Sequence, residues 1–106
     1  MTHLPQSLDA RLRFAIGHRR LIAFRYKDDP RIAEPHDYGV QKGIERLLVY
    51  QLRGPVRSPN QSATGWRLLD TSKIEACVVL DDTFGGSRGR SYPSHSTWEL
   101  LYARVS

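Results

Sequence analysis

Basic, acidic and aromatic residues recur near the predicted ends of strands, where side chains from different strands meet. Arginine binds phosphate and carboxylate groups through paired hydrogen bonds, and neighbouring aromatic rings offer surfaces for stacking bases. Arginine on a strand of a small β-protein is costly to bury unless it meets an acid or another anion. These residue types therefore indicate a site for a negatively charged ligand. The candidate ligand-binding residues are Tyr26, Arg31, Glu34, His36, Trp66, Arg67 and Lys73.

The basic members of this set are the candidates for contact with phosphate. We expect Arg31, Arg67 and Lys73 to bind phosphate groups, with Arg31 and Arg67 pointing to a common concave face. A structural alternative stays open, because Arg31 and Glu34 also fit an internal ion pair that holds two strands together.

The aromatic members and the histidine have structural interpretations as well. Tyr26 and Trp66 fit stacking surfaces for bases. Tyr26 shares its strand face with Phe24, which favours a core position, and Trp66 fits a core or rim anchor equally well. His36 borders the expected pocket, although the cap of a turn after Pro35 fits it better.

Catalytic and metal-binding residues are not indicated. No two of the four histidines, at positions 3, 18, 36 and 95, have the spacing that places two ligands on one face of a helix or strand. Residues 85–91 lack the ending and the following helix of a phosphate-binding loop, so we expect a solvated connector in which Arg88 and Arg90 matter little. Cys77 lies in a β-branched run typical of a core. We expect no enzyme activity, no cofactor and no metal.

Length and composition restrict the class of protein. The chain has 106 residues, 40% of them hydrophobic and 25% charged, which fits one globular domain rather than a disordered chain. A single cysteine excludes an internal disulfide framework. No apolar run approaches the roughly 18 residues of a membrane span, and the first residues carry no apolar signal core. We expect a cytoplasmic protein that does not bind a membrane.

The charge is positive and unevenly spread. Lys and Arg number 16 and Asp and Glu number 11, which gives a net charge of +5. Residues 11–31 contain seven basic and two acidic side chains, so this stretch alone carries +5. Clustered arginines are typical of proteins that bind phosphates, although many small basic proteins bind none.

Hydrophobic periodicity predicts one helix followed by short strands. An N-cap at Ser7 and an apolar stripe predict a helix over residues 8–18. Alternation predicts strands over residues 21–26, 31–38, 46–52, 66–70 and 73–80, with a long polar loop over residues 53–65. Residues 96–99 match a capping box, and the C-terminal segment fits a helical turn running into a short strand.

These elements predict a mostly β (α+β) domain over residues 8–106, with residues 1–7 as a leader. One helix and five short strands fit a small closed or nearly closed barrel. We expect Phe24, Leu48 and Ile74 in one core cluster, because each lies on an apolar strand face. In the last of the five strands, Ile74, Ala76 and Val78 are expected to share one face and Cys77 to lie on the other.

Several short motifs, taken in order, resemble the WYL-domain family of bacterial sensor and regulator proteins. A helix ending in Ala-Ile at 15–16 precedes Ile-Ala-Phe-Arg-Tyr at 22–26, similar to the family's strand ending in tyrosine. Arg-Ile-Ala-Glu-Pro at 31–35 resembles its Arg-x-x-Glu-Pro signature. Trp-Arg-Leu-Leu at 66–69 with Lys-Ile at 73–74 resembles its Arg-x-Phe…Arg-Ile segment, and Phe84 its closing aromatic. The resemblance is strongest over residues 8–84, and Glu-Arg-Leu at 45–47 stands where the family has Trp-Tyr-Leu.

The resemblance implies an N-terminal helix followed by a five-stranded SH3-like or Sm-like barrel with a basic ligand pocket. It further implies a non-enzymatic ligand-sensing or regulatory module whose ligand is a nucleotide or a single-stranded nucleic acid. Only seven residues precede the helix, so we expect this module to stand alone, without the DNA-binding domain that precedes it in several members of the family. The alternative is a protein-interaction or assembly module of the Sm-like type, with a regulatory protein or a second copy of this chain as its partner. A divergent member whose pocket has decayed is a third interpretation, because the Trp-Tyr pair is absent.

Overall fold

One N-terminal helix and six antiparallel strands form the fold of the computed structural model, which describes residues 7–56, 58–89 and 97–106. The predicted mostly β fold with an N-terminal helix is confirmed. The elements are α1 (Leu8–Gly17), β1 (Arg20–Tyr26), β2 (Asp29–Gln41), β3 (Ile44–Arg53), β4 (Gly65–Asp70), a 3-10 turn (Thr71–Lys73), β5 (Ile74–Thr83) and β6 (Leu100–Arg104). Residues 1–6 of the expected leader lie outside the described residues, as do Arg90, His95 and Ser96.

The helix begins where the sequence supplies a cap. The Ser7 hydroxyl accepts a hydrogen bond from the backbone N–H of Ala10 at 3.0 Å, and Asp9 adds negative charge to the first turn. Leu12 and Ile16 are buried in the core. The helix ends one residue before the predicted boundary at residue 18. Within the described residues, no helix has the length and apolar character needed to cross a membrane.

The sheet has the strand order β4-β3-β2-β1-β5, with β6 added beside β2. The first part of β2 pairs with β1 and its last part with β6, while β3 runs along the other edge of β2. β4 and β5 therefore lie at the two ends of the order, and the sheet is open. β6 is the short C-terminal strand that the sequence indicated, and as a sixth strand of the sheet it corrects the predicted count of five. Residues 97–99 are not helical, and residues 100–104 are extended because they pair with β2.

The hydrophobic core lies on the sheet face that α1 covers, which is called the inner face below. Phe24 and Ile74 are both buried in this core. Leu48 is buried as predicted, but it points to the opposite, outer face, because its neighbours Leu47 and Val49 both point into the core. The expectation of a single cluster is therefore wrong for Leu48.

A β-bulge in β5 changes the face pattern that alternation predicts. On β1, residues 23 and 25 are two positions apart, whereas their partners Val78 and Glu75 are three apart, so β5 contains an extra residue. Ala76 lies in this stretch with a φ of 53°, and its side chain is exposed. Consequently Ile74 and Cys77 are both buried and Val78 is exposed, which corrects the predicted grouping.

Truncation of Phe24 tests this register. Phe24→Ala removes a buried ring from the core, so we expect the free energy of unfolding to fall by roughly 3–5 kcal/mol in urea denaturation. Val78→Ala, at an exposed position of β5, is the control and is expected to cost less than about 1 kcal/mol. Equal losses in the two variants would contradict the register.

Cys77 gives a second test through its reactivity. Its thiol is buried, and burial raises the pKa of the thiol to about 11, so very little thiolate forms near neutral pH. We expect a disulfide reagent to label the native protein more than roughly a hundredfold more slowly than the urea-unfolded chain. Labelling of the native protein at the unfolded rate would show that this part of β5 faces solvent.

Candidate functional site

The seven candidate residues do not form one cluster. Successive residues of a strand point to opposite faces, and residues paired directly across two antiparallel strands point to the same face. The register therefore divides the candidates between the two faces of the sheet. The inner set is Tyr26, Arg31 and Arg67, and Lys73 ends the 3-10 turn after β4. The outer set is Glu34, Trp66 and His36. His36 lies in an irregularity of β2 and has no register partner, so its contacts with Glu34 and Trp66 place it there.

On the inner face, two arginines lie on either side of Gln51. Arg31 Nη1 donates to Gln51 Oε1 at 3.1 Å, and Gln51 Nε2 donates to the carbonyl of residue 63 at 2.8 Å. Arg67 donates to the carbonyl oxygens of residues 62 and 66 at 2.8 and 3.0 Å. Arg31 and Arg67 thus share a face. The hydrogen bonds of Gln51 and Arg67 hold the backbone of residues 62–66 against the sheet.

Tyr26 is a core residue, the interpretation that its strand pattern favours. The residue is buried, and its hydroxyl accepts a hydrogen bond from the backbone N–H of Asp70 at 3.0 Å. The guanidinium carbon of Arg31 lies 5.1 Å from the centroid of its ring. The covered ring offers no open surface on which a base can stack.

On the outer face, Glu34 holds the guanidinium group of Arg88. Arg88 Nε and Nη2 donate to the two carboxylate oxygens at 2.8 and 2.7 Å, and His36 Nε2 lies 3.1 Å from Glu34 Oε1. Glu34 is therefore bound by Arg88 and His36 rather than by Arg31, which lies on the opposite face.

Arg88 is the residue that sequence reasoning missed. Its guanidinium carbon lies 3.5 Å from the centroid of the Tyr50 ring, a stacked cation–π contact in addition to the ion pair. The expectation that Arg88 belongs to a solvated connector is wrong. Arg88 follows Glu34 by 54 positions, and no local spacing indicates a pair that far apart.

Aromatic rings surround this ion pair. The ring centroid of Trp66 lies 5.3 Å from that of Tyr50 and 4.7 Å from that of His36, both in edge-to-face geometry. Phe84 lies 5.4 Å from His36. Beside the pair, Glu34 and residues 85–88 line an open depression of about 260 Å³. Trp66 is therefore a half-buried anchor at the rim of the sheet.

His36 is completely buried in β2, whereas the sequence favoured a turn cap after Pro35. Burial lowers the pKa of the imidazole below its ordinary value, and the charge of Arg88 acts in the same direction against the effect of Glu34. Burial alone would raise the pKa of the Glu34 carboxyl, but hydrogen bonds from Arg88 and His36 outweigh it and lower that pKa. At neutral pH an ionised Glu34–Arg88 pair therefore lies beside a neutral imidazole.

Lys73 does not join either set of side chains. Trp66 lies at the start of β4 and Asp70 at its end, so about 13 Å of extended strand separates them. The exposed Lys73 belongs to the turn that follows Asp70. The sequence groups Lys73 with Arg67 because each is predicted to open a strand, and that pattern carries no information on where the two strands lie in the sheet. β4 and β5 lie at the two ends of the strand order.

Comparison with models of known protein families, with curated proteins and with solved structures found no match to this chain. Within residues 7–56, 58–89 and 97–106, no three His, Cys, Asp or Glu side chains are grouped so that they could hold a metal ion.

Titration of His36 tests the outer cluster. Because the pKa of His36 is lower in the folded protein than its ordinary value of about 6.5, the unfolded chain binds the proton more readily. The free energy of unfolding is thus expected to fall as the pH falls through about 6.5. Arg88→Ala removes a positive charge that disfavours the protonated imidazole and leaves His36 as the partner of Glu34. The pKa of His36, followed by NMR, is therefore expected to rise.

Arg20→Ala is the control for this titration, because Arg20 pairs with the exposed Asp81 and does not contact Glu34. The imidazole pKa of His36 is expected to stay unchanged in this variant. A lower pKa of His36 in Arg88→Ala would contradict the arrangement.

Proposed function

We propose that the chain is a non-enzymatic binding module of the WYL-like type that takes a nucleotide or a single-stranded nucleic acid along the edge strand β4. Arg67 contacts a phosphate group and Trp66 stacks on a base. Arg31 and the exposed Arg53 add positive charge at the same end of the sheet, where β2 begins, β3 ends and β4 begins. Tyr26 and Lys73 are left out because of their positions.

The hydrogen bonding of Arg67 carries this proposal. Its guanidinium group donates to two backbone carbonyls, which hold its orientation without neutralising its charge. Within the described part of the chain, no acidic side chain forms a salt bridge with Arg67, whereas Arg13, Arg20 and Arg104 each donate to a carboxylate. An oriented guanidinium that keeps its full charge is suited to phosphate, because part of the entropy cost of ordering it has already been met.

Trp66 supplies the aromatic surface beside this cation. It is partly exposed on β4, and contacts with Tyr50 and His36 fix the position of its ring. Stacking of a base on such a ring contributes roughly 1–3 kcal/mol and tolerates any base. Trp66 and Arg67 point to opposite faces, so a strand of nucleic acid that passes over the edge of β4 contacts both.

One contact supports a curled sheet of the SH3-like or Sm-like type. The Tyr26 hydroxyl accepts a hydrogen bond from the backbone N–H of Asp70, which joins β1 to the end of β4. β2 and β3 separate these two strands in the sheet order, so the contact requires the sheet to bend around the core. This bending is what the barrel of the WYL-like type implies.

Anisotropy of a labelled single strand of deoxythymidines, titrated at several salt concentrations, tests the proposal. We expect Arg67→Gln to weaken binding and to reduce the slope of log K against log salt by about 0.7, the contribution of one phosphate contact on a single strand. Lys42→Gln is the matched control, because it removes one exposed charge from the turn between β2 and β3 at the opposite end of β3. This control is expected to leave the slope unchanged.

Two outcomes would contradict the proposal. Equal effects of the two variants would indicate attraction to the net charge of +5 without a defined phosphate contact. Absence of binding at low salt would remove the nucleic-acid ligand altogether. Self-association that is insensitive to salt, measured by sedimentation, would then favour the assembly module, since apolar strand contacts depend little on salt.

A further inference from the structure

We infer that the ring of Tyr50 is a second base-stacking position, which the guanidinium group of Arg88 covers until a ligand with two bases displaces it. This inference rests on the proposed function and extends its ligand from one nucleotide to two. It also makes the Arg88 side chain a cover over part of the binding surface.

Tyr50 is placed to act together with Trp66. The two residues are directly paired across β3 and β4, and their ring centroids are 5.3 Å apart with an interplanar angle of 86°. Bases of a single strand can turn away from one another and stack separately on aromatic side chains. The neighbouring rings therefore suit two consecutive bases.

Arg88 occupies the position that a base would take on Tyr50. The guanidinium group is planar, and its carbon lies 3.5 Å from the ring centroid, as in a stack of planar groups. The side chain of Arg88 is 32% exposed and comes from a loop. Once displaced, the same group is able to donate two parallel hydrogen bonds to the phosphate that joins the two bases.

The loop that carries Arg88 is held by its backbone. The N–H of Phe84 donates to the carbonyl of Arg19 at 2.9 Å, and the N–H of Ser87 donates to the carbonyl of Ser106 at 3.3 Å. These anchors do not involve the Arg88 side chain. Displacement from Tyr50 therefore needs a change of side-chain rotamer rather than movement of a strand.

The ion pair with Glu34 opposes this displacement. A buried carboxylate that loses its partner is costly unless another charge compensates it. His36 is placed to do so, since its Nε2 lies 3.1 Å from Glu34, and Asp37, paired with Arg104, also favours protonated His36. Binding of a two-base ligand is therefore coupled to proton uptake. The affinity for the two-base ligand is therefore expected to increase as the pH falls toward the range in which His36 takes up a proton.

Comparison of a one-base with a two-base ligand tests the inference. The probes are thymidine 5′-monophosphate and the 5′-phosphorylated thymidine dinucleotide, titrated against the full chain and followed by the indole N–H resonance of Trp66 in NMR spectra. Trp98→Phe assigns that resonance, because the chain has two tryptophans. We expect the dinucleotide to bind roughly tenfold more tightly, as the stacking of one further base implies.

Two substitutions separate stacking from charge. Tyr50→Leu is expected to bring the dinucleotide affinity close to that of the mononucleotide, whereas Tyr50→Phe keeps the difference. Glu34→Gln frees Arg88 without leaving a buried charge and is expected to raise the dinucleotide affinity severalfold. We expect Glu34→Gln to change the affinity for the mononucleotide by the same factor as Glu75→Gln, a control that removes an exposed negative charge on β5. Thermal unfolding confirms that each variant is folded.

The outcomes distinguish this inference from the proposed function. Equal affinity for both ligands, or a dinucleotide preference that survives Tyr50→Leu in a folded variant, would overturn the second stacking position alone. Binding of neither ligand at low salt would overturn the proposed function and this inference with it. An affinity gain for both ligands in Glu34→Gln, equal in size, would show that charge rather than the release of Arg88 controls binding.

Discussion

Two carboxylates buried in the middle of β2 determine how the last part of the chain packs. Glu34 and Asp37 lie within residues 33–39, all of which are buried. A carboxylate in such a position is tolerated only with a cationic partner and hydrogen bonds. Arg88 and Arg104, both from the chain after β5, supply these partners. The loop over the outer face and the pairing of β6 with β2 therefore satisfy the same electrostatic requirement.

This requirement separates Arg88 and Arg104 from Arg67. Arg88 and Arg104 neutralise carboxylates, and their charge is largely consumed inside the molecule. Arg67 is held by backbone carbonyls and keeps its charge for an external anion. The net charge of +5 therefore says little about binding until the partner of each guanidinium is known. Arg88 combines both features, because its guanidinium group pairs with Glu34 and also stacks on the Tyr50 ring, where a two-base ligand would replace it.

The regular elements are predictable from the sequence because they depend on near neighbours. The Ser7 cap and the apolar stripe define the helix, and alternation locates the first five strands to within a few residues. Features set by distant partners are not predictable in this way. The bulge at Ala76 inverts a face pattern, and the Glu34–Arg88 pair joins positions 54 apart. The division of the candidate site between two faces is in part a local effect, because Trp66 and Arg67 are adjacent on one strand and alternation places them on opposite faces.

The position of β6 has a consequence for the order in which the chain folds. β1, β2 and β3 pair with their neighbours along the chain, whereas Arg104 of β6 reaches Asp37 across 67 positions. Closing so long a loop costs more chain entropy than closing a hairpin. We therefore expect the β1–β3 meander to form early and β6 to dock late. Asp37, which points to the outer face, then stays hydrated until Arg104 arrives, so the folding chain does not bury an unpaired carboxylate.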